Sequence, residues 1–164
     1  MVMTADERML NAVRERIREL HTFAPDSIGD RMDFRVISCT GGGGECLFEC
    51  RTSDWMRNVF GTLHGGMCAA VMDQAMGFVA YCVKPGEGIT PTVQMQVEYH
   101  SPLIPGKSIF VRVQVVSAGK TLIHMAAQAW QAEREETLCL SATGLYFYKP
   151  MKVTSGVNKK LSGK

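Results

Sequence analysis

Two hydrophobic periods divide the chain. Over Thr4 to His21, the residues Met9, Leu10, Val13, Ile17 and Leu20 fall on one face of a 3.6-residue repeat, which predicts an amphipathic helix. Thr4 followed by Glu7 has the spacing of a capping box at its start. Phe34–Cys39 and Glu45–Arg51 predict two short strands joined by the glycines Gly41–Gly44. Gly65–Val83 is neither strictly alternating nor polar on one side. It is too long for a strand and predicts a helix apolar on nearly all sides, hence buried. After the turn-like Lys84–Gly88 the period changes to two. Val93, Met95, Val97 and Tyr99 alternate with Thr92, Gln94, Gln96 and Glu98, and Ile109, Val111, Val113 and Val115 repeat the pattern. Leu122–Gln131 and Leu138–Tyr148 complete four strands. The breaks at Ser101–Lys107, Ser117–Lys120 and Ala132–Glu136 are short, which predicts antiparallel neighbours. Helix, two strands, buried helix and four strands together predict an α+β fold: an antiparallel sheet curled around one long central helix. By this reading residues 1–25 are the N-terminal helix, 26–148 the sheet-and-helix domain, and 149–164 a basic tail, rich in lysine and expected to be disordered.

Composition narrows the class. With 164 residues and 46% apolar content, the chain can build one real core. A net charge of +2, not gathered into a stripe, argues against a nucleic-acid partner. Asp6, Glu7, Arg8, Arg14, Glu15, Arg16, Arg18 and Glu19 interrupt any hydrophobic leader, so no secretory signal is expected. A membrane span is disfavoured because Asp73 and Gln74 would sit near mid-bilayer. The six cysteines form no CxxC pair and lie among apolar neighbours. They read as buried free thiols in a reducing compartment, which points to the cytoplasm.

Asp73 is the one formal charge between Phe60 and Val83. A lone carboxylate in an apolar helix is costly unless it is paired or used, and a desolvated one is a competent base or nucleophile. At the start of the same helix, His64-Gly65-Gly66 offers backbone N–H groups with partial positive charge, and glycine permits close approach of a ligand. That arrangement suits a developing oxyanion such as a polarised thioester carbonyl. Gly65 and Asp73 stand eight residues apart, about 12 Å along a helix axis. One carbonyl cannot meet both on a single chain. If they act together, the site is shared across a two-fold axis, with Asp73 supplied by a second, antiparallel copy of the helix.

Asn58-Val-Phe-Gly61-Thr-Leu-His64-Gly65-Gly66 followed by Asp73 resembles the signature of hotdog-fold acyl-CoA thioesterases of the phenylacetate-pathway and thioesterase-superfamily-member type. Thr92-Val-Gln-Met-Gln-Val-Glu-Tyr-His-Ser101-Pro102, then Pro105-Gly106 and Gly119-Lys120-Thr121, is similar to that family's long strands and turns. The resemblance covers roughly residues 54 to 148. It implies a hotdog fold and hydrolysis of an acyl-CoA to free acid and CoA. In the implied site, Asp73 of one subunit is general base or nucleophile, and Gly65 N–H of the other polarises the carbonyl with help from Asn58. His64 would support that loop, and the Thr92 hydroxyl would orient the attacking water. The resemblance further implies a homodimer, assembled into a homotetramer, with no metal and no cofactor beyond the CoA of the substrate.

Gly66, Met72 and Met76 are the candidates for contact with the substrate, although a methionine stripe on a buried helix is more often plain core. Cys68 lies one turn after His64 and could form a Cys–His pair, but its setting in Met-Cys-Ala-Ala-Val reads as core. No His/Cys/Asp grouping has zinc-ligand spacing. The rival of a different class is a non-catalytic acyl-CoA binding or sensing module, since fold alone does not fix function. Asp73 weighs against it, because a binder has no need of a costly carboxylate.

Overall fold

The computed structural model describes residues 2–84, 86, 88–132 and 137–151. Helix α1 spans Ala5–Phe23, and the capping box at its start is formed: Glu7 N donates to Thr4 Oγ1 at 3.2 Å and Thr4 N to Glu7 Oε2 at 2.7 Å. Val13 and Ile17 are buried, and Met9, Leu10 and Leu20 pack against the core, so the predicted face anchors α1 to the rest of the molecule. A four-residue helix, α2 (Ile28–Arg31), follows under a Ser27 cap. It is too short for its period to be legible in the sequence.

The strands are β1 (Phe34–Thr40), β2 (Glu45–Arg51), β3 (Gly88–Ile89), β4 (Thr92–Tyr99), β5 (Ser108–Ala118), β6 (Leu122–Gln131), β7 (Leu140–Phe147) and β8 (Lys149–Pro150). Six of them form one antiparallel sheet in the order β1-β2-β5-β6-β7-β4, and β3 pairs with β8. The sheet packs on α3 (Gly65–Cys82), which contacts β2, β4, β5, β6 and β7. This is the α+β hotdog arrangement, with the sheet open rather than closed into a barrel.

Two expectations change here. β4 and β5 are consecutive but do not pair: β4 lies beyond β7 at the sheet edge. Their connection, 100–107, crosses the start of α3 instead of turning back as a hairpin. Leu63 N donates to Leu103 O at 2.8 Å, and the buried Gln131 amide grips both polar groups of Ile104 at 3.2 and 2.8 Å. Nor is α3 covered all round. Gly66 is exposed, and Ala70, Asp73 and Gly77 are half-buried along one face. Lys149–Pro150 pairs with Gly88–Ile89; the rest of the expected tail, residues 152–164, lies outside the described ones. Among the described residues, no helix is long and apolar enough to cross a membrane.

The core centres on Phe34, Phe48 and Phe78. The Phe48 ring stacks on Phe78 at 6.1 Å and meets Phe34 edge-on at 6.2 Å. It joins β2 to α3 and is fully buried. Phe48→Ala is therefore expected to cost about 3–5 kcal/mol, read as a fall in the denaturation midpoint with little change in slope. All six cysteines are free thiols, five buried and Cys82 half-buried.

Candidate active site

His64 caps α3 with its own ring. Its φ of −62° and ψ of 135° are extended, and Nδ1 accepts from Gly66 N at 3.0 Å. An accepting Nδ1 places the ring proton of neutral His64 on Nε2. Met67 N and Cys68 N both reach His64 O, at 2.8 and 3.0 Å. Of the first four helical N–H groups, Gly65 N–H is then the one left without a partner among the described residues. Gly66, expected at the substrate, has its N–H taken by His64.

Asn58 organises the loop leading to this cap. Its Oδ1 accepts from Phe60 N at 2.9 Å and Thr62 N at 3.2 Å, and its Nδ2 donates to Thr62 Oγ1 at 2.8 Å. Gly61, at a φ of 82°, closes the turn by donating to Asn58 O at 3.2 Å, a conformation that favours glycine. Asn58 was expected beside the substrate carbonyl. Here its amide is engaged within the loop and holds the segment that leads to Gly65.

Tyr99, in the sequence simply one of the alternating strand residues, ends β4. Its hydroxyl donates to Gly65 O at 2.9 Å, and its ring lies under Gly65. Burial holds its phenol above the usual range, so it stays a donor. Asn58, Gly65, Cys68, Tyr99 and Leu103 line a cleft of about 330 Å³. The Cys68 thiol is buried and pushed up to about 11, chiefly by desolvation. A protonated buried thiol is a poor nucleophile, which leaves the Cys–His pairing without support.

Asp73 opens into a different cleft, of about 220 Å³, lined among others by Thr92, Tyr146, Gly77 and Tyr81. Thr92 Oγ1 donates to Asp73 Oδ1 at 2.8 Å, so the structure does bring Thr92 to Asp73. A second hydroxyl was not anticipated: Tyr146 OH reaches the same Oδ1 at 2.9 Å. Its signal in the sequence is faint. Tyr146 ends the inward-facing series Leu140, Ala142, Gly144 of β7, where a polar tip needs a partner. Burial first, then the neighbouring Asp73 charge, keeps the Tyr146 phenol well above its ordinary range. The carboxylate is thus half-exposed and hydrogen-bonded, not sealed in apolar surroundings as expected. Met72 and Met76, expected to touch the substrate, are fully enclosed; Met76 packs beside Gly144. The physical reason is their direction: they point from α3 into the sheet, where they fill the core.

The Gly65 and Asp73 sites therefore lie in two separate clefts of one protomer, at opposite ends of half a helix. Residues 60–138, from the turn before His64 through β6, match the sequence model of the thioesterase superfamily.

Over that stretch the chain is similar to the thioesterase superfamily.

The human protein acyl-coenzyme A thioesterase 13 is 29% identical to this chain over 94 residues, which span 57% of this chain and 66% of that protein. The crystal structure of thioesterase superfamily member 2 from Mus musculus superposes with a TM-score of 0.69 at 22% identity, covering 85% of this chain and 96% of that one. A Streptococcus mutans protein solved bound to acetyl CoA gives a TM-score of 0.63 at 19% identity, over 73% of this chain and 91% of that one. These structural likenesses establish the fold of the domain. Among the described residues, no three His, Cys, Asp or Glu side chains are gathered to hold a metal ion.

Proposed function

We propose that this protein hydrolyses an acyl-CoA thioester to the free acid and CoA, at a site shared by two subunits. The observation that carries the reading is the pairing of an unpartnered Gly65 N–H at a helix start with an Asp73 carboxylate held by hydroxyl donors, both on α3 of a chain similar to the thioesterase superfamily. The thioester carbonyl accepts from Gly65 N–H of one subunit, whose peptide is fixed by Tyr99 and whose loop is fixed by Asn58 and His64. Water, oriented by Thr92 and Asp73 of the other subunit, attacks the carbonyl carbon and gives its proton to Asp73. The tetrahedral intermediate collapses, the C–S bond breaks, and the departing CoA sulfur takes up that proton. No metal or further cofactor is needed.

The separation of the two clefts supports a dimeric site. So does β4, a sheet edge that leaves Val93 57% and Tyr99 55% exposed. An uncovered apolar edge strand is a template for pairing. Two β4 strands joined about a two-fold axis would bring the uncovered faces of two α3 helices together, with each Asp73 facing the partner's Gly65. Two such dimers would make the tetramer that the family resemblance implies. The likeness to an acyl-coenzyme A thioesterase and to a fold that holds acetyl CoA in another protein supports the substrate class.

A panel of aryl-acetyl, medium-chain and long-chain acyl-CoA thioesters tests the reading, with thiol release as the readout. Turnover of at least one class is expected. Tight acyl-CoA binding with no thiol release from any of them would replace hydrolysis with the binding-module reading.

A further inference from the structure

We propose that Tyr146 is a positioning residue for the hydrolysis, pinning one oxygen of Asp73 so that the other is presented to the attacking water. The inference rests on the thioesterase reading above and assigns a role on β7, outside the residues of the Asn58–Gly66 loop and Thr92. Both hydroxyl donors converge on Oδ1: Thr92 Oγ1 at 2.8 Å and Tyr146 OH at 2.9 Å. Among the described residues, no donor reaches Oδ2. The terminal torsion of an aspartate is broad and nearly two-fold, so without an anchor the two oxygens exchange freely. Two donors on one oxygen stop that exchange and draw charge from Oδ1. Oδ2 is left as the oxygen that takes the proton.

The two donors differ in rigidity. Thr92 is exposed at the first residue of an edge strand. Tyr146 is 1% exposed, and its ring lies against Gly144 of its own strand and Gly77 of the facing helix α3. A Cβ added at Gly144 would lie 2.8 Å from Tyr146 Cε2, and one at Gly77 would lie 3.9 Å from Cε1. Gly144 therefore leaves the space the ring occupies. A locked side chain holding a catalytic group is the arrangement that preorganised sites require. Tyr146 OH also lies 3.2 Å from Asp73 O, which ties the phenol to the helix backbone as well as to the carboxylate.

The test is a double-mutant cycle on the full-length protein, with Tyr146→Phe, Thr92→Ala and the double variant assayed for thiol release beside melting temperature. Tyr146→Phe keeps the ring and removes only the hydroxyl. Loss of a hydrogen bond to a charged group predicts a fall in kcat of about 10- to 100-fold, with KM unchanged and melting within a few degrees. Because both donors hold the same oxygen, the double variant should lose more than the product of the single losses. Unchanged kcat in folded Tyr146→Phe overturns the proposal, and so does a double loss equal to that product. Should Tyr146→Phe fail to fold, Gly144→Ala decides. It retains the hydroxyl but crowds the ring, so a lower kcat at unchanged KM supports the proposal and an unchanged kcat overturns it. Wild type inactive on every thioester removes the hydrolysis reading and this inference with it, whereas an active wild type with an indifferent Tyr146→Phe removes the inference alone.

Discussion

Asp73→Asn is expected to lower kcat for acyl-CoA hydrolysis by about 10²- to 10⁴-fold, the range of a positioned acid–base group. Asparagine is nearly isosteric with aspartate. Its amide oxygen can still accept from Thr92 and Tyr146, so neither hydroxyl is stranded. What is lost is the negative charge and the basicity. The oligomer and the fold should survive, because Asp73 is half-exposed and its neighbours Met72, Ala75 and Met76 carry the core contacts of this part of α3. Substrate binding should change little, since the carboxylate addresses the water and not the thioester. The measurements are steady-state thiol release and size-exclusion chromatography on the same preparation. A folded, assembled Asp73→Asn protein that turns over at the wild-type rate would remove Asp73 from the mechanism.

Gly65→Pro is expected to be nearly as damaging, for a different reason. Proline removes the one donor at the start of α3 that stands without a partner among the described residues. It also suits the first position of a helix, where its fixed φ is already helical. His64, at a ψ of 135°, has the extended conformation required before proline. An added Cβ at Gly65 comes no nearer than 3.7 Å to Tyr99 Cε1, an ordinary contact. Loss of one oxyanion donor predicts a kcat about 10²- to 10³-fold lower in a protein that still folds.

The pair of variants also answers where the site lies. In a mixed dimer of Gly65→Pro and Asp73→Asn subunits, a shared site receives both defects at one location and neither at the other. Random exchange makes half of the dimers mixed, so denaturing and refolding the two inactive proteins together should restore about a quarter of wild-type activity. A site confined to one chain would restore none.

Most of the fold is legible in the sequence because helix and strand periods are local properties. The apolar face of α1, its capping box and the alternation along β5 and β6 need only neighbours a few residues away. The alternation along β4 is equally clear, but it misleads about burial: β4 lies at the edge, and its apolar residues are largely uncovered in the protomer. Asp73 and the His64-Gly65-Gly66 cap stand out in the sequence for electrostatic reasons, a single charge in an apolar run and glycines ahead of a helix. Asn58 could be placed near them but not assigned its bonds, because whether an amide faces the ligand or its own loop depends on the turn at Gly61.

The sequence by itself determined the long elements, the helix that carries the candidate residues and the axial separation that keeps Gly65 and Asp73 from meeting one carbonyl on one chain. Those follow from backbone geometry over a few turns. Only the tertiary structure decided which side chains reach Gly65 and which reach Asp73. Tyr99 reaches Gly65 because β4 runs past α3 at the sheet edge, and Tyr146 reaches Asp73 across 73 residues because β7 lies between β6 and β4. Strand order is set by how the whole sheet packs on α3, and no local period encodes it.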